Sequence, residues 1–233
     1  MKAQVLVEQM SALYCGAEIV QLGGVQSGIG QKAVATELVV GTARVDGDAQ
    51  ADPKHHGGLD RVLHHFPREH YSQYRRWDLI SGLKDAPAMG ENISTVGLDE
   101  SQVNIGDIIQ IGAVKLQVTQ PRSPCFKLNL QFEHQDFALA MQQSGRCGWF
   151  YRVLEPGTIY ANDTIVLVER LSEISIAQAM KIYFLAEFDA EQYQRLAACP
   201  GLATSWINSL QRRIDHHIIE DWNMRLYGPN KQI

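Results

Sequence analysis

The sequence predicts a mainly β chain with some α content, followed by a small all-α three-helix domain. Two observations carry this. Up to about residue 170, short apolar runs alternate with polar residues and are broken by glycine, the pattern of half-buried strands. Near residue 172 the apolar period changes to helical spacing and keeps it. The predicted domains are therefore residues 1–172 and 173–233.

In chain order, Gln4 to Glu8 and Ala17 to Leu22 alternate as strands do, and Lys32 to Val40 is a further strand region. Gly23-Gly24 and Gly28-Ile29-Gly30 supply turns. Pro67 suits the first position of a helix running through Tyr71, Tyr74 and Trp77. A second β-rich portion begins at Gly90. Within it Asp107–Ile111 and Val114–Thr119 form a hairpin across Gly112-Ala113. Asp136 to Ser144 is a short helix, and Gly148 to Leu154 and Thr164 to Arg170 are closing strands. In the tail, Ile176, Met180, Tyr183, Phe184 and Phe188 mark one helix, with Ser175 and Gln178 as a capping box. A second helix starts at Asp189, Cys199-Pro200-Gly201 breaks it, and a third carries Trp206, Ile207, Leu210 and Ile214.

Hydrophobic residues make up 45% of the 233 and charged residues 20%, enough apolar surface for a sizeable core. The net charge of −5 argues against binding a nucleic-acid polymer by bulk electrostatics, and leaves room for a local basic pocket. No apolar run approaches the roughly 18–20 residues of a membrane helix. The N-terminus lacks the apolar core and cleavage site of a signal peptide, so a cytoplasmic protein with no membrane partner is expected. The four cysteines form no CxxC pair and no cluster suited to an iron–sulfur centre. Any redox work would draw electrons from another protein, a separate reductase.

The segment Gln120-Pro-Arg-Ser-Pro-Cys-Phe-Lys127 is the most informative. Two prolines stiffen the approach to Cys125. If Arg122 and Lys127 are also near it in space, they favour the thiolate, a nucleophile and soft metal ligand. A lone cysteine is also commonly buried filler, and local sequence leaves both readings open. In His55-His56-Gly57-Gly58 the glycines permit close backbone approach to a ligand, and His56 could donate to an anion or ligate a metal; a plain turn reads the same. His64, His65 and His70 add a histidine cluster without an HExxH pattern, a poor basis for a zinc enzyme. Gly90-Glu91-Asn92 is a weaker signal still.

Lys54–Arg61, Gly90–Ile93 and Pro121–Cys125 together, in this order and at this spacing, resemble the MOSC family, named for the C-terminal domain of molybdenum cofactor sulfurases. Phe66–Tyr71 and the helical tail resemble its stand-alone bacterial YiiM-type branch. The resemblance spans nearly the whole chain. It implies a β-barrel-like body with a pocket, a molybdenum–pterin cofactor, and Cys125 as catalytic residue and metal ligand. Similar proteins reduce N-hydroxylated compounds, including the base analogue 6-N-hydroxylaminopurine, to amines. Arg122 is then expected to bind the pterin phosphate, with Ser27, Gly28, His56, Gly57, Gly58, Asn92 and Lys127 as further cofactor contacts. Pyridoxal phosphate is not expected, since no Schiff-base lysine motif is present. The rival readings are a sulfur carrier holding a persulfide on Cys125 and a non-catalytic cofactor carrier. The sequence leaves open whether two chains associate as a homodimer, and whether the helical tail docks a reductase or merely caps the barrel.

Overall fold

The computed structural model describes residues 3–51, 57–82 and 84–229. Its centre is a nine-stranded sheet curled into a half-barrel. The described residues form thirteen strands: β1 Gln4–Val7, β2 Ala12–Cys15, β3 Val20–Leu22, β4 Val25–Ser27, β5 Ala33–Ala35, β6 Glu37–Val40, β7 Leu63–Pro67, β8 Ile93–Thr95, β9 Ile108–Ile111, β10 Val114–Pro121, β11 Trp149–Glu155, β12 Gly157–Tyr160 and β13 Ile165–Glu169. The large sheet runs β1-β13-β9-β10-β11-β7-β8-β2-β5, with β12–β6 and β3–β4 as separate pairs. The helices are α1 Glu69–Arg76, α2 Phe126–Phe132, α3 Phe137–Ser144, α4 Ile176–Met180, α5 Ala190–Ala197, α6 Thr204–His216 and α7 Asn223–Tyr227.

The hairpin at Gly112 forms as expected, with Val114 opposite Ile111. So does the capping box: Ser175 accepts from the Gln178 amide, and the Gln178 side chain accepts from the Ser175 amide. Asp189 likewise accepts from the Gln192 amide at the start of α5. After Met180 the first tail helix widens into a π turn, Lys181–Leu185.

Two expectations are corrected, and two helices are added. Pro67 does not open the helix; it ends β7, where a missing amide proton costs no ladder bond, and α1 begins at Glu69. Ala17–Leu22 shortens to β3, which pairs with β4 across Gly23 and Gly24. Both glycines have positive φ, as a two-residue hairpin turn of this hand requires. The tail also carries a fourth short helix, α7, and α2 follows Cys125 directly where no helix was expected.

β body and helical tail share one continuous apolar core, from Leu13, Leu63 and Trp149 to Met180, Tyr193 and Leu210. The tail is tied down polar-side as well. The Ala203 amide donates to the Thr119 carbonyl, and Asp60 accepts from the Thr204 amide at the start of α6. No helix among the described residues is long and apolar enough to cross a membrane.

Candidate functional site

Strand β10 delivers the site. Its last residue, Pro121, pairs with Trp149 of β11, and the Arg122 amide continues the ladder by one bond to the Gly148 carbonyl (3.1 Å). Gly148 has φ +68°, and a Cβ there would lie 2.1 Å from the His65 carbonyl, so only glycine lets the two strands close at this point. The chain then leaves the sheet through Ser123-Pro124, and Cys125 sits extended immediately before α2.

Cys125 and Arg122 open onto a cavity of about 1020 Å³ between the β body and the C-terminal helices. Each is only 8% exposed. The Arg122 guanidinium lies close enough to Cys125, Glu91 and Cys147 for their charges to offset part of the burial that lowers its own pKa. Its Nη1 is buried with no hydrogen-bond partner among the described residues. A buried guanidinium nitrogen normally has a partner, because an unmade bond leaves the desolvation cost uncompensated.

The other predicted contacts divide. Ser27, Gly28, Asn92 and Lys127 line the cavity together with Cys125 and Arg122. The Ser27 hydroxyl is itself engaged, accepting from the Ile29 amide (3.1 Å). Asn92 is committed to the protein: its side chain donates to the Tyr14 carbonyl (3.3 Å) and to Asp48 (3.0 Å), and accepts from the His64 amide (3.1 Å). Gly57 and Gly58 are not among the cavity-lining residues; Gly58 instead caps the 3-10 turn Leu59–Arg61. His56, with Lys54 and His55, lies outside the described residues.

Several cavity residues carry no local signal in the sequence. Lys32 reaches the wall from the β3–β5 region, paired at 2.8 Å with Asp48, which Asn92 and the Gly16 amide hold in place. His64 lines the wall as a neutral imidazole, its pKa pushed well down by burial and then by Arg122 and Lys32. Its neighbour His65 points the other way on β7, between Tyr151 (3.0 Å) and Thr95 (2.7 Å), and burial holds it at about 3. The opposite wall comes from the tail, with Tyr183, Phe184, Trp206 and Trp222. Arg225 of α7 completes it. Burial lowers this arginine to about 10 against the opposing pull of Cys125, so it stays charged at neutral pH.

The cavity is therefore basic in an acidic chain. Lys32, Arg61, Arg122, Lys127, Arg212 and Arg225 face it, against Asp48, Glu220 and Asp221. Of these carboxylates, Asp48 is taken by Lys32 and Glu220 by Arg213. Among the described residues no group of three or more His, Cys, Asp or Glu is placed to hold a metal by itself. The histidine cluster is instead dispersed into separate buried hydrogen bonds, with His70 bound to Glu100 at 2.8 Å.

Comparison with known proteins agrees with this fold. Residues 52–166 match the MOSC domain model, and residues 174–217 match the model of the YiiM-like, 3-alpha helix domain. Protein YiiM of Escherichia coli (strain K12) is 44% identical over 206 residues, covering 88% of this chain and 92% of that protein. The crystal structure of YiiM from Escherichia coli superposes with a TM-score of 0.78 at 40% identity, over 86% of this chain and 96% of that one. A protein of Gibberella moniliformis (strain M3125 / FGSC 7600) named "Reductase" shares 41% identity over 117 residues, 49% of this chain and 21% of its own length. The chain thus matches its relatives over most of its length, in the β body and in the helical tail, and it belongs to the MOSC-domain family, in the YiiM-like branch that carries a three-helix domain.

Proposed function

We propose that the cavity holds a molybdenum–pterin cofactor on Cys125 and that the protein reduces N-hydroxylated compounds, base analogues such as 6-N-hydroxylaminopurine among them, to amines. The observation that carries this reading is the buried Arg122 Nη1 without a partner, beside a buried thiol, in a cavity with an excess of cations. That donor set fits the group. A thiolate is a soft ligand for a metal that already carries dithiolene sulfurs. An arginine fork suits a phosphate oxygen pair. The volume, at the upper end for small-molecule sites, accommodates both a pterin and a substrate.

When bound, the cofactor supplies the two-electron chemistry that removes the hydroxyl oxygen, R–NHOH + 2 e⁻ + 2 H⁺ → R–NH₂ + H₂O. The chain's own residues do the rest. Cys125 holds the metal. Arg122 and Lys127 neutralise the anionic group. Neutral His64 lines the wall without adding charge. The aromatic wall of the tail excludes water and offers flat apolar surface to a ring. Electrons come from a separate reductase. The fungal relative's name supports reductive chemistry and belongs to that protein.

The test is molybdenum per chain in protein purified from cofactor-producing cells, wild type beside Cys125→Ala. The expected result is near-stoichiometric metal in the wild type, its loss in the variant, and N-hydroxyl reduction only in the former. Absence of metal from both, with a persulfide on Cys125, would replace this reading with sulfur carriage. Bound pterin without turnover would reduce it to cofactor carriage.

A further inference from the structure

Residues 218–229 lie beyond both matched domain stretches, 52–166 and 174–217. Yet this segment returns across the helical tail to the cysteine loop. It is fastened there at three points. The Asn129 side chain of α2 donates to the Leu226 carbonyl (2.8 Å). Gly228, with φ +76°, lies under the Phe126 ring, which a Cβ would approach to 2.9 Å. Arg225 donates through Nη1 to the Pro124 carbonyl, one residue before Cys125, and through Nη2 to Gln142 (2.5 Å). Its guanidinium also lies 4.9 Å over the Phe184 ring. A guanidinium carries five N–H donors. Two are committed to Pro124 and Gln142, and the group still faces the cavity. Arg225 bonds the residue before Cys125, Arg122 stands three residues before it, and all three line one cavity, so the two cations lie around one thiol.

We propose that Arg225 is the second cation of an oxyanion site at Cys125, paired with Arg122 and built by the C-terminal segment, and that its ligand is a phosphate-type anion. The identity of that anion as the cofactor's phosphate rests on the reading above; the existence of the site does not. Anchoring at Pro124 and Gln142 fixes the guanidinium before any ligand arrives, so its ordering cost is met in the folded protein. Arg122 supplies the unpartnered nitrogen, which an oxyanion oxygen would satisfy.

The experiment is calorimetric titration of inorganic phosphate into cofactor-free protein. It compares wild type, Arg122→Gln, Arg225→Gln and Arg225→Lys, with thermal midpoints recorded alongside. Losing one charge-assisted contact should weaken binding about tenfold in each glutamine variant. Arg225→Lys, which keeps the charge, should recover most of the loss. No phosphate binding by the wild type, or equal binding by wild type and Arg225→Gln, would overturn the proposal. So would a lysine variant as weak as the glutamine one with a lowered midpoint, because Arg225 would then be purely structural. Molybdenum content of the same variants separates the two readings. Arg225-dependent phosphate binding in a protein that never carries molybdenum leaves the anion site standing and removes the cofactor.

Discussion

Two buried arginines, one lining the cavity and one behind its helical wall, are treated in opposite ways. Arg213 in α6 is 1% exposed and almost fully occupied. It donates through Nε and Nη2 to Glu220 (2.7 Å each) and through Nη1 to the Tyr183 carbonyl (2.7 Å). It also packs 3.8 Å over the Tyr183 ring. Burial raises the Glu220 carboxyl, but the hydrogen bonds and charge of Arg213 outweigh this and hold it at about 2. Arg122, at the β end, is also buried, though less deeply, and keeps a nitrogen without a partner among the described residues. The first arginine builds the wall; the second is left for something the wall encloses. Buried charge stabilises a fold only when it is paired and hydrogen-bonded, so the two sites should respond to mutation with opposite signs.

The largest effect is expected at the satisfied arginine. Arg213→Met strands Glu220 and the Tyr183 carbonyl, and should cost about 3 kcal/mol, a value reduced by the partial exposure of Glu220. Denaturant unfolding of the cofactor-free protein reads this directly, and a loss below about 1 kcal/mol would contradict the assignment.

The next effect lies at Glu91, a fully buried carboxyl that receives the Tyr71 hydroxyl (2.8 Å) and the Met89 amide (3.1 Å). Burial raises it to about 7, with Arg122 and Lys32 pulling the other way. Its folded pKa lies above its unfolded value of 4.5. The stability it contributes is therefore complete below pH 4.5 and is lost as pH rises through 7. Neutral His64 and His65 have the opposite slope below pH 6.5, so the wild-type curve mixes both signs. Glu91→Gln isolates one of them. The variant should gain about 3 kcal/mol relative to wild type between pH 4.5 and 7, with no further change above that interval. A flat difference curve would mean that Glu91 is ionised throughout.

The difference between the two arginines also marks what a sequence makes legible. Arg122 and Cys125 stand three residues apart in a proline-stiffened loop, and their juxtaposition is local. The capping residues Ser175 and Asp189 are legible for the same reason, because a cap acts over three residues. Lys32 and Arg225 reach the cavity from the N-terminal third and from the end of the chain. Their presence depends on strand order and on the return of the tail, and neither leaves a trace in spacing. Pro67 shows the converse. As a local signal it favours a helix start, and the parallel pairing of β7 with β8 overrides it. The tail's place was open between docking surface and cap; it contributes one wall of the cavity.

The smallest effect completes the comparison and has the unusual sign. Replacing Arg122 with methionine removes a buried charge and its unmade hydrogen bond while conserving much of the side-chain volume. The cofactor-free protein should become more stable by about 1 kcal/mol, as buried ions exchanged for apolar residues often do. Glu91 then loses an attracting cation, and its pKa should move further up, so the gain should grow toward lower pH. The same variant should lose phosphate binding and molybdenum. A gain in stability together with a loss of ligand is the signature of a residue kept for binding at the expense of the fold. If Arg122→Met instead destabilises by as much as Arg213→Met, then Arg122 has found partners within the protein. The contrast between the two arginines would vanish with it.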